Sequence, residues 1–138
     1  MKHIISIATL AVVLLIPINK IQAIHYNNKF TNNSQTDVKV TLHYSGESSV
    51  GCQPMSAKIK AGQKNKNLRN MACCLKRVVV EAATDLKGNY SEVMNATFSG
   101  CKDRTFDISG GATKVPYPQK GGKMGWKTMY LDWNLEVK

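Results

Sequence analysis

The chain is short of the side chains on which most enzymes depend. It has nine carboxylates and three histidines among 138 residues. The carboxylates are scattered singly, so spacing assigns no pair of them to general acid–base chemistry. No Gly-x-Ser-x-Gly elbow, His-Glu-x-x-His helix or phosphate-binding loop occurs. These absences predict a protein that is not an enzyme, with a hydrolase assembled from distant carboxylates as the alternative.

Long hydrophobic runs are also missing, except at the start of the chain. A basic start, Met1-Lys2-His3, precedes an apolar or small run over residues 4–16, which Pro17 ends. The run is shorter than the ~20 residues that a permanent membrane helix requires. Residues 1–23 are therefore predicted to be a cleaved secretory signal peptide, with an N-terminal membrane anchor as the alternative. The expected location is extracellular, or else periplasmic.

Cysteine is scarce, but its number is even. In an exported chain, four cysteines predict two disulfides, and here they are Cys52, Cys73, Cys74 and Cys101. A bridge between the two adjacent cysteines would be strained, so each is expected to pair with one of the distant two, in either order. Each bridge would contribute about 3–4 kcal/mol in the chain-entropy treatment. Because the spacing fits no zinc or redox pattern, neither a metal nor a cofactor is expected.

Apolar residues recur with a period of two, which is typical of β-strands half-buried in a sheet. The alternation is clearest over residues 36–44 and 126–137. Further strands are predicted over 24–30, 56–61, 71–83, 90–99 and 104–109. Turn residues separate these segments, as in an antiparallel sandwich. Residues 24–138 are therefore predicted to form one all-β domain of about seven strands, an immunoglobulin-like or jelly-roll-like β-sandwich.

The stretch 71–83 is interpreted as the centre of this fold. A helix is conceivable, since several of its apolar residues also recur at helical spacing. Three consecutive valines, Val78, Val79 and Val80, favour a strand because branched side chains pack well on a pleated sheet. On a strand starting at 71, the adjacent cysteines would point to opposite faces. One bridge would then lie in the core and the other on the outer face or at the sandwich end.

The segment 110–125 interrupts the strand pattern. It contains two glycine pairs, Gly110-Gly111 and Gly121-Gly122, and the sequence Pro116-Tyr117-Pro118. Such composition predicts a long, mobile loop, and long loops in compact domains are often functional. Exposed aromatic residues beside lysines could contact a sugar, a membrane interface or a partner protein. The alternative is a simple connection in which Trp126 packs into the core.

The basic charge defines the candidate binding residues. The formal net charge is +10, of which Lys2 and Lys20 in the leader contribute two, and such a protein is attracted to anionic surfaces. Two groups are predicted, and either can instead be a solubilising surface. The first is the densest cationic cluster, Lys58, Lys60, Lys64, Lys66 and Arg69. The second lies in the predicted loop and comprises Tyr117, Lys120, Lys123 and Trp126, with Lys114 and Lys127 nearby.

The segments Val38-Lys39-Val40-Thr41-Leu42-His43-Tyr44, Gly51-Cys52, Ile59-Lys60-Ala61-Gly62 and Phe98-Ser99-Gly100-Cys101 carry a resemblance. Over most of the mature chain, the sequence resembles small, disulfide-bonded β-sandwich proteins secreted by bacteria. The resemblance is one of architecture. It implies a fold and a compartment, and it transfers no functional residues.

Composition and pattern together predict a secreted, non-enzymatic binding protein. Its partner would be an anionic surface, meaning lipopolysaccharide, phospholipid or acidic glycan, or a protein of a host or competitor. No specific recognition of nucleic acid is expected, and the oligomeric state is left open. The alternatives are a membrane-active, toxin-like sandwich and an inhibitor of a secreted enzyme.

Overall fold

The computed structural model describes residues 25–46, 51–84 and 88–138, and the predicted signal peptide lies outside them. Every element in these ranges is a β-strand. The strands are β1 (His25–Asn32), β2 (Val38–Tyr44), β3 (Met55–Ile59), β4 (Lys66–Met71), β5 (Leu75–Ala83), β6 (Tyr90–Thr97), β7 (Arg104–Pro118) and β8 (Met124–Val137). The predicted all-β class is thereby confirmed, with eight strands in the described residues.

The strands form two four-stranded sheets that pack face to face. The first has the order β4-β1-β7-β8 and the second the order β3-β2-β5-β6. All pairings are antiparallel except that of β1 with β7, which is parallel. The first sheet is therefore mixed. The additional strand, β4, lies mostly in residues 62–70, between two predicted strands, where the sequence predicted no strand.

The core lies between the two sheets and follows from the alternation in each strand. In β2 the inward residues Val38, Val40 and Leu42 are fully buried, whereas the intervening residues are partly exposed. Phe30 and Phe106 stack across the parallel β1–β7 pair with ring centroids 4.6 Å apart. Burying each large apolar side chain contributes about 1.5–3 kcal/mol, so these inward rows hold the sheets together.

The predicted strand over 71–83 is shorter in the structure and begins at Leu75. Met71 instead ends β4, and Ala72 has φ 49°, a left-handed conformation that interrupts an extended strand. The chain crosses from one sheet to the other at this point. The adjacent cysteines therefore occupy a connection between sheets, and a continuous central strand starting at 71 is wrong.

The two expected disulfides are present, and the structure selects one of the two pairings. Cys52 is bonded to Cys73, and Cys74 is bonded to Cys101. Cys73 is buried in the core cluster, whereas Cys101 is exposed. The first bridge thus fixes the crossing inside the sandwich, and the second fastens the same crossing to the loop before β7.

The segment 110–125 forms strands where the sequence predicted a loop. β7 continues to Pro118, β8 begins at Met124, and the two strands pair along their length. Pro116 and Pro118 lie two residues apart on β7, so both occupy the same side of the alternating hydrogen-bond pattern. Beyond Ile108 the other edge of β7 has no strand partner among the described residues. Proline is therefore tolerated there, because no ladder hydrogen bond is lost. The turn is confined to residues 119–123 and is closed by the Gln119 amide, which donates to the Lys123 carbonyl at 2.8 Å.

Candidate binding arm and cleft

The most distinctive feature of the molecule is the outer half of the β7–β8 hairpin. β1 pairs with β7 only from Arg104 to Ile108, and β8 is the last strand of its sheet. We call residues 111–131 the arm. Within the arm, the register runs without interruption from Gly111 opposite Leu131 to the turn. In the described part of the chain, neither long edge of the arm has a strand partner.

A β-bulge at the base sets the direction in which the arm leaves the sandwich. The register shifts between Ser109 and Gly111, so that Asp132 and Trp133 together oppose Gly110. Asp132 has φ 53°, as expected for the first residue of such a bulge. The Trp133 ring lies across Gly110, and its Nε1 donates to the Gly111 carbonyl at 3.0 Å. The same tryptophan packs against the core, which anchors the base of the arm.

The tip of the arm is held by a second contact between an aromatic ring and a glycine. A Cβ added at Gly125 would lie 3.0 Å from the Tyr117 ring and 2.3 Å from Nε2 of the Gln119 side chain. That nitrogen donates to the Tyr117 hydroxyl at 3.1 Å. Tyr117, predicted as a binding residue, therefore also supports the tip, while its ring remains partly exposed.

Four large apolar side chains of the arm are exposed. They are Met124 at 64%, Trp126 at 67%, Met129 at 41% and Leu131 at 42%. The structure therefore does not place Trp126 in the core. Single exposed apolar residues are ordinary, but several on one projecting element are typical of an interaction surface.

The two faces of the arm differ in composition. Residues paired across a ribbon share a face, and successive pairs alternate between faces. The first face carries the pairs Pro118–Met124, Pro116–Trp126, Lys114–Thr128 and Ala112–Tyr130. The second face carries the pairs Tyr117–Gly125, Val115–Lys127, Thr113–Met129 and Gly111–Leu131. The two prolines, Met124 and Trp126 thus lie together at the outer end of the first face.

The arm carries charge of one sign only. Lys114, Lys120, Lys123 and Lys127 are all exposed, and residues 109–131 contain no carboxylate. Without internal partners, these ammonium groups give the element a positive potential that attracts anions.

A cleft of about 720 Å³ lies between the base of the arm and one end of the second sheet. On the arm side it is lined by Ala112, Thr113, Lys114 and Thr128, and on the sandwich side by Gln35, Thr36, Asp37, Ala83, Thr84, Gly88 and Tyr90. The Thr128 hydroxyl donates to the Thr84 carbonyl at 3.3 Å and bridges the two sides. Such a volume falls within the range of small-molecule sites.

The charged groups of the cleft stand on opposite sides. Lys114 comes from the arm and Asp37 from the start of the second sheet. One carboxylate oxygen of Asp37 accepts the Ala61 backbone amide at 2.8 Å. Because that bond orients the carboxylate, the cleft presents an oriented acceptor opposite the exposed ammonium of Lys114.

The predicted cationic cluster lies away from the arm, and of its residues Lys58 reaches Tyr90 on the sandwich side of the cleft. Its five residues occupy β3, β4 and the connection between them, and these strands form one edge of the sandwich, whereas β8 lies at the opposite edge of its sheet. The cluster also does not form one face. Lys58 points outward from the second sheet, with its ammonium 5.5 Å from the centre of the Tyr90 ring. Arg69 is exposed on the first sheet, and Lys66 is half-buried.

The structure therefore separates the two predicted groups of binding residues. Tyr117, Lys120, Lys123 and Trp126 all lie on the arm, with the two lysines in its turn and with Tyr117 and Trp126 on opposite faces. Lys60 and Lys64 remain with the β3–β4 edge. The residues that sequence reasoning missed are those of the cleft on the sandwich side, above all Asp37 and Tyr90. No local signal marks them, because they meet the arm only through tertiary structure.

Two titrating groups of the first sheet are perturbed by hydrogen bonds. The Asn27 backbone amide donates to the Asp103 carboxylate at 2.8 Å and lowers the pKa of that carboxyl, with a further contribution from the Asn27 side chain. The pKa of Lys138 is raised by its hydrogen bond to Asp107. The first contact joins β1 to the residue before β7, and the second joins β7 to the residue after β8. They are structural links and lie outside the cleft.

Metal and membrane-spanning features are not found in the described ranges. No group of three or more histidine, cysteine, aspartate or glutamate residues there is placed to hold a metal ion. The same ranges contain no helix long and apolar enough to cross a membrane. Searches against protein-family models, curated proteins and solved structures find no match to this chain.

Proposed function

We propose that this protein is a secreted, non-enzymatic binding protein that attaches to an anionic surface through the arm. The observation that carries the proposal is Trp126. It is the most exposed large apolar residue of the arm, on an element with four lysines and no carboxylate. The two exported-type disulfides support action outside the cytoplasm.

The composition of the arm suits an interface between water and an anionic layer. A lysine near an anionic membrane contributes about 1 kcal/mol of attraction. Tryptophan is enriched at such interfaces because its ring is apolar and its indole N–H is polar. The same charges disfavour association with the arm of a second copy, since like charges would face each other. An anionic partner therefore fits better than self-association.

The test is binding to anionic vesicles, lipopolysaccharide and a heparin column over a range of salt. Binding should weaken steeply as salt rises, because exposed charges are screened over about 8 Å at physiological ionic strength. Lys120→Ala with Lys123→Ala should weaken binding more than Lys60→Ala with Lys64→Ala, which removes the same charge from the other edge. Equal losses in the two double variants would contradict the assignment to the arm.

A membrane-active protein is the second candidate. It is favoured by the arm being a two-stranded ribbon with no strand partner on either edge among the described residues, since such a ribbon could pair with further strands in a bilayer. Dye release from anionic liposomes that depends on Trp126 would support this function. Binding without release at every lipid composition would leave surface attachment as the activity.

A further inference from the structure

The first face of the arm connects the exposed tryptophan with the cleft. Trp126 and Thr128 are two residues apart on β8 and share this face, as do their partners Pro116 and Lys114 on β7. Strands rise about 3.4 Å per residue, so Lys114 lies roughly 7 Å from the level of Trp126. One surface therefore passes from an apolar outer end to a polar, cationic base.

The cleft at that base is rich in hydrogen-bond donors. Thr36 and Tyr90 provide hydroxyl groups, Gln35 an amide and Lys114 an ammonium. The carboxylate among the lining residues belongs to Asp37, on the side opposite Lys114. An anion on the arm side would meet Lys114, while a hydroxyl group on the sandwich side could donate to Asp37.

We propose that the cleft binds the headgroup of a single anionic phospholipid whose acyl chains lie along the outer end of the first face. The phosphodiester contacts the ammonium of Lys114, and a hydroxylated headgroup reaches Asp37. The acyl chains cover Trp126 and Met124, whose exposed surface then leaves water. This inference rests on the proposed function, because it names the surface that the arm contacts.

A phosphodiester fits better than a free phosphate on two grounds. Asp37 would repel the second negative charge of a phosphate monoester at the sandwich side of the cleft. The apolar part of the first face is continuous with the cleft, and a ligand without acyl chains would leave it exposed to water. A phosphodiester with a hydroxylated headgroup and two chains uses both parts of the face.

The experiment is a titration of the mature protein with dihexanoylphosphatidylglycerol below its micelle concentration, followed by amide and indole chemical shifts. Resonances of Thr36, Lys114 and the Trp126 indole should move together and saturate. Lys114→Met should weaken binding by about tenfold, as expected for losing one charge-assisted contact. Lys127→Met is the matched control, since Lys127 is an exposed lysine on the opposite face of the same ribbon.

The outcomes separate the alternatives. Equal effects of Lys114→Met and Lys127→Met would mean that only net charge matters and would overturn the cleft site. Saturation by glycerol phosphate at the same concentration would identify a water-soluble ligand and overturn the lipid. Vesicle binding by the wild-type protein without shifts in the cleft would also overturn this inference, while leaving the proposed function standing. Absence of binding to vesicles, lipopolysaccharide and heparin alike would reject the proposed function, and the short-chain titration would still decide whether the cleft binds lipid.

Discussion

Substituting Gly110 by alanine should destabilise the fold by disturbing the base of the arm. A Cβ at this position would lie 2.3 Å from Cδ2 of the Trp133 ring, closer than real contacts allow. The ring cannot move away freely, because it packs on the core and its Nε1 donates to Gly111. Over-packing costs about 1–3 kcal/mol, and the backbone φ of 155° adds strain of about 1–3 kcal/mol for a non-glycine residue. The expected loss of unfolding free energy is therefore about 2–6 kcal/mol.

The neighbouring glycine provides the control. A Cβ at Gly111 would meet only the Leu131 carbonyl oxygen at 4.0 Å, an ordinary contact. Gly111→Ala should therefore change stability by less than about 1 kcal/mol, with the reduced entropy of the unfolded chain favouring the variant. Both are measured by urea denaturation at equilibrium. The part of the Gly110→Ala destabilisation that comes from the clash with the Trp133 ring should disappear when Trp133→Ala is already present. If Gly110→Ala costs no more than Gly111→Ala, the reasoning about the base of the arm is refuted.

Three further predictions concern the sandwich. Asp103→Asn should flatten the acid side of the stability–pH curve. The lowered pKa of Asp103 gives stability that is present above its unfolded value of about 3.8 and is lost as pH falls through the folded pKa; an unchanged curve would contradict the link. Asn32→Asp should lower unfolding free energy by about 3 kcal/mol or more, because the buried amide nitrogen donates to three carbonyls that a carboxylate would repel. Asn33→Asp, at an exposed neighbour, should have little effect on the unfolding free energy, and both variants are measured by equilibrium urea denaturation. Removing the bridge with Cys74→Ser and Cys101→Ser should cost about 3–4 kcal/mol, and an unchanged urea midpoint would show that the loop before β7 is held by other contacts.

The strands that alternation predicted share a physical reason for being predictable. In β2, each inward residue is separated from the next by one outward residue, so the local sequence pattern shows which side chains are buried. The valines of β5 likewise prefer a strand wherever the sheet lies. The register shifts between the pairs His43–Arg77 and Tyr44–Leu75, so Lys76 is an additional residue on β5 with none opposite it on β2. This shift returns Leu75 to the core.

The prediction of a loop at 110–125 is wrong because glycine and proline, which commonly interrupt strands, are accommodated in this hairpin. Among the described residues, the prolines lie on an edge without a partner strand, and two glycines accept aromatic rings from the opposite strand, Trp133 over Gly110 and Tyr117 beside Gly125. Both conditions depend on which strand is the neighbour. Local composition does not contain that information, so a hairpin arm and a loop have the same sequence signature here.

The candidate site divides in a similar way. The sequence identified the aromatic and basic residues of the arm, because lysine and tryptophan near glycine and proline are unusual in a buried strand. It also favoured the β3–β4 lysines, which the strand order places on the other edge of the sandwich. The cleft was beyond prediction, because Asp37 and Lys114 are far apart in the chain and meet only where the arm passes the second sheet.

The sequence by itself determined an all-β sandwich, its inward rows and the presence of two cross-links, because side-chain alternation and cysteine number are local properties. Tertiary structure alone decided that Cys73 bonds Cys52 and Cys74 bonds Cys101, since pairing depends on which loops meet at the crossing between sheets. It also decided that 110–125 is an arm with an exposed Trp126, because strand order and register set which edges and faces are left uncovered.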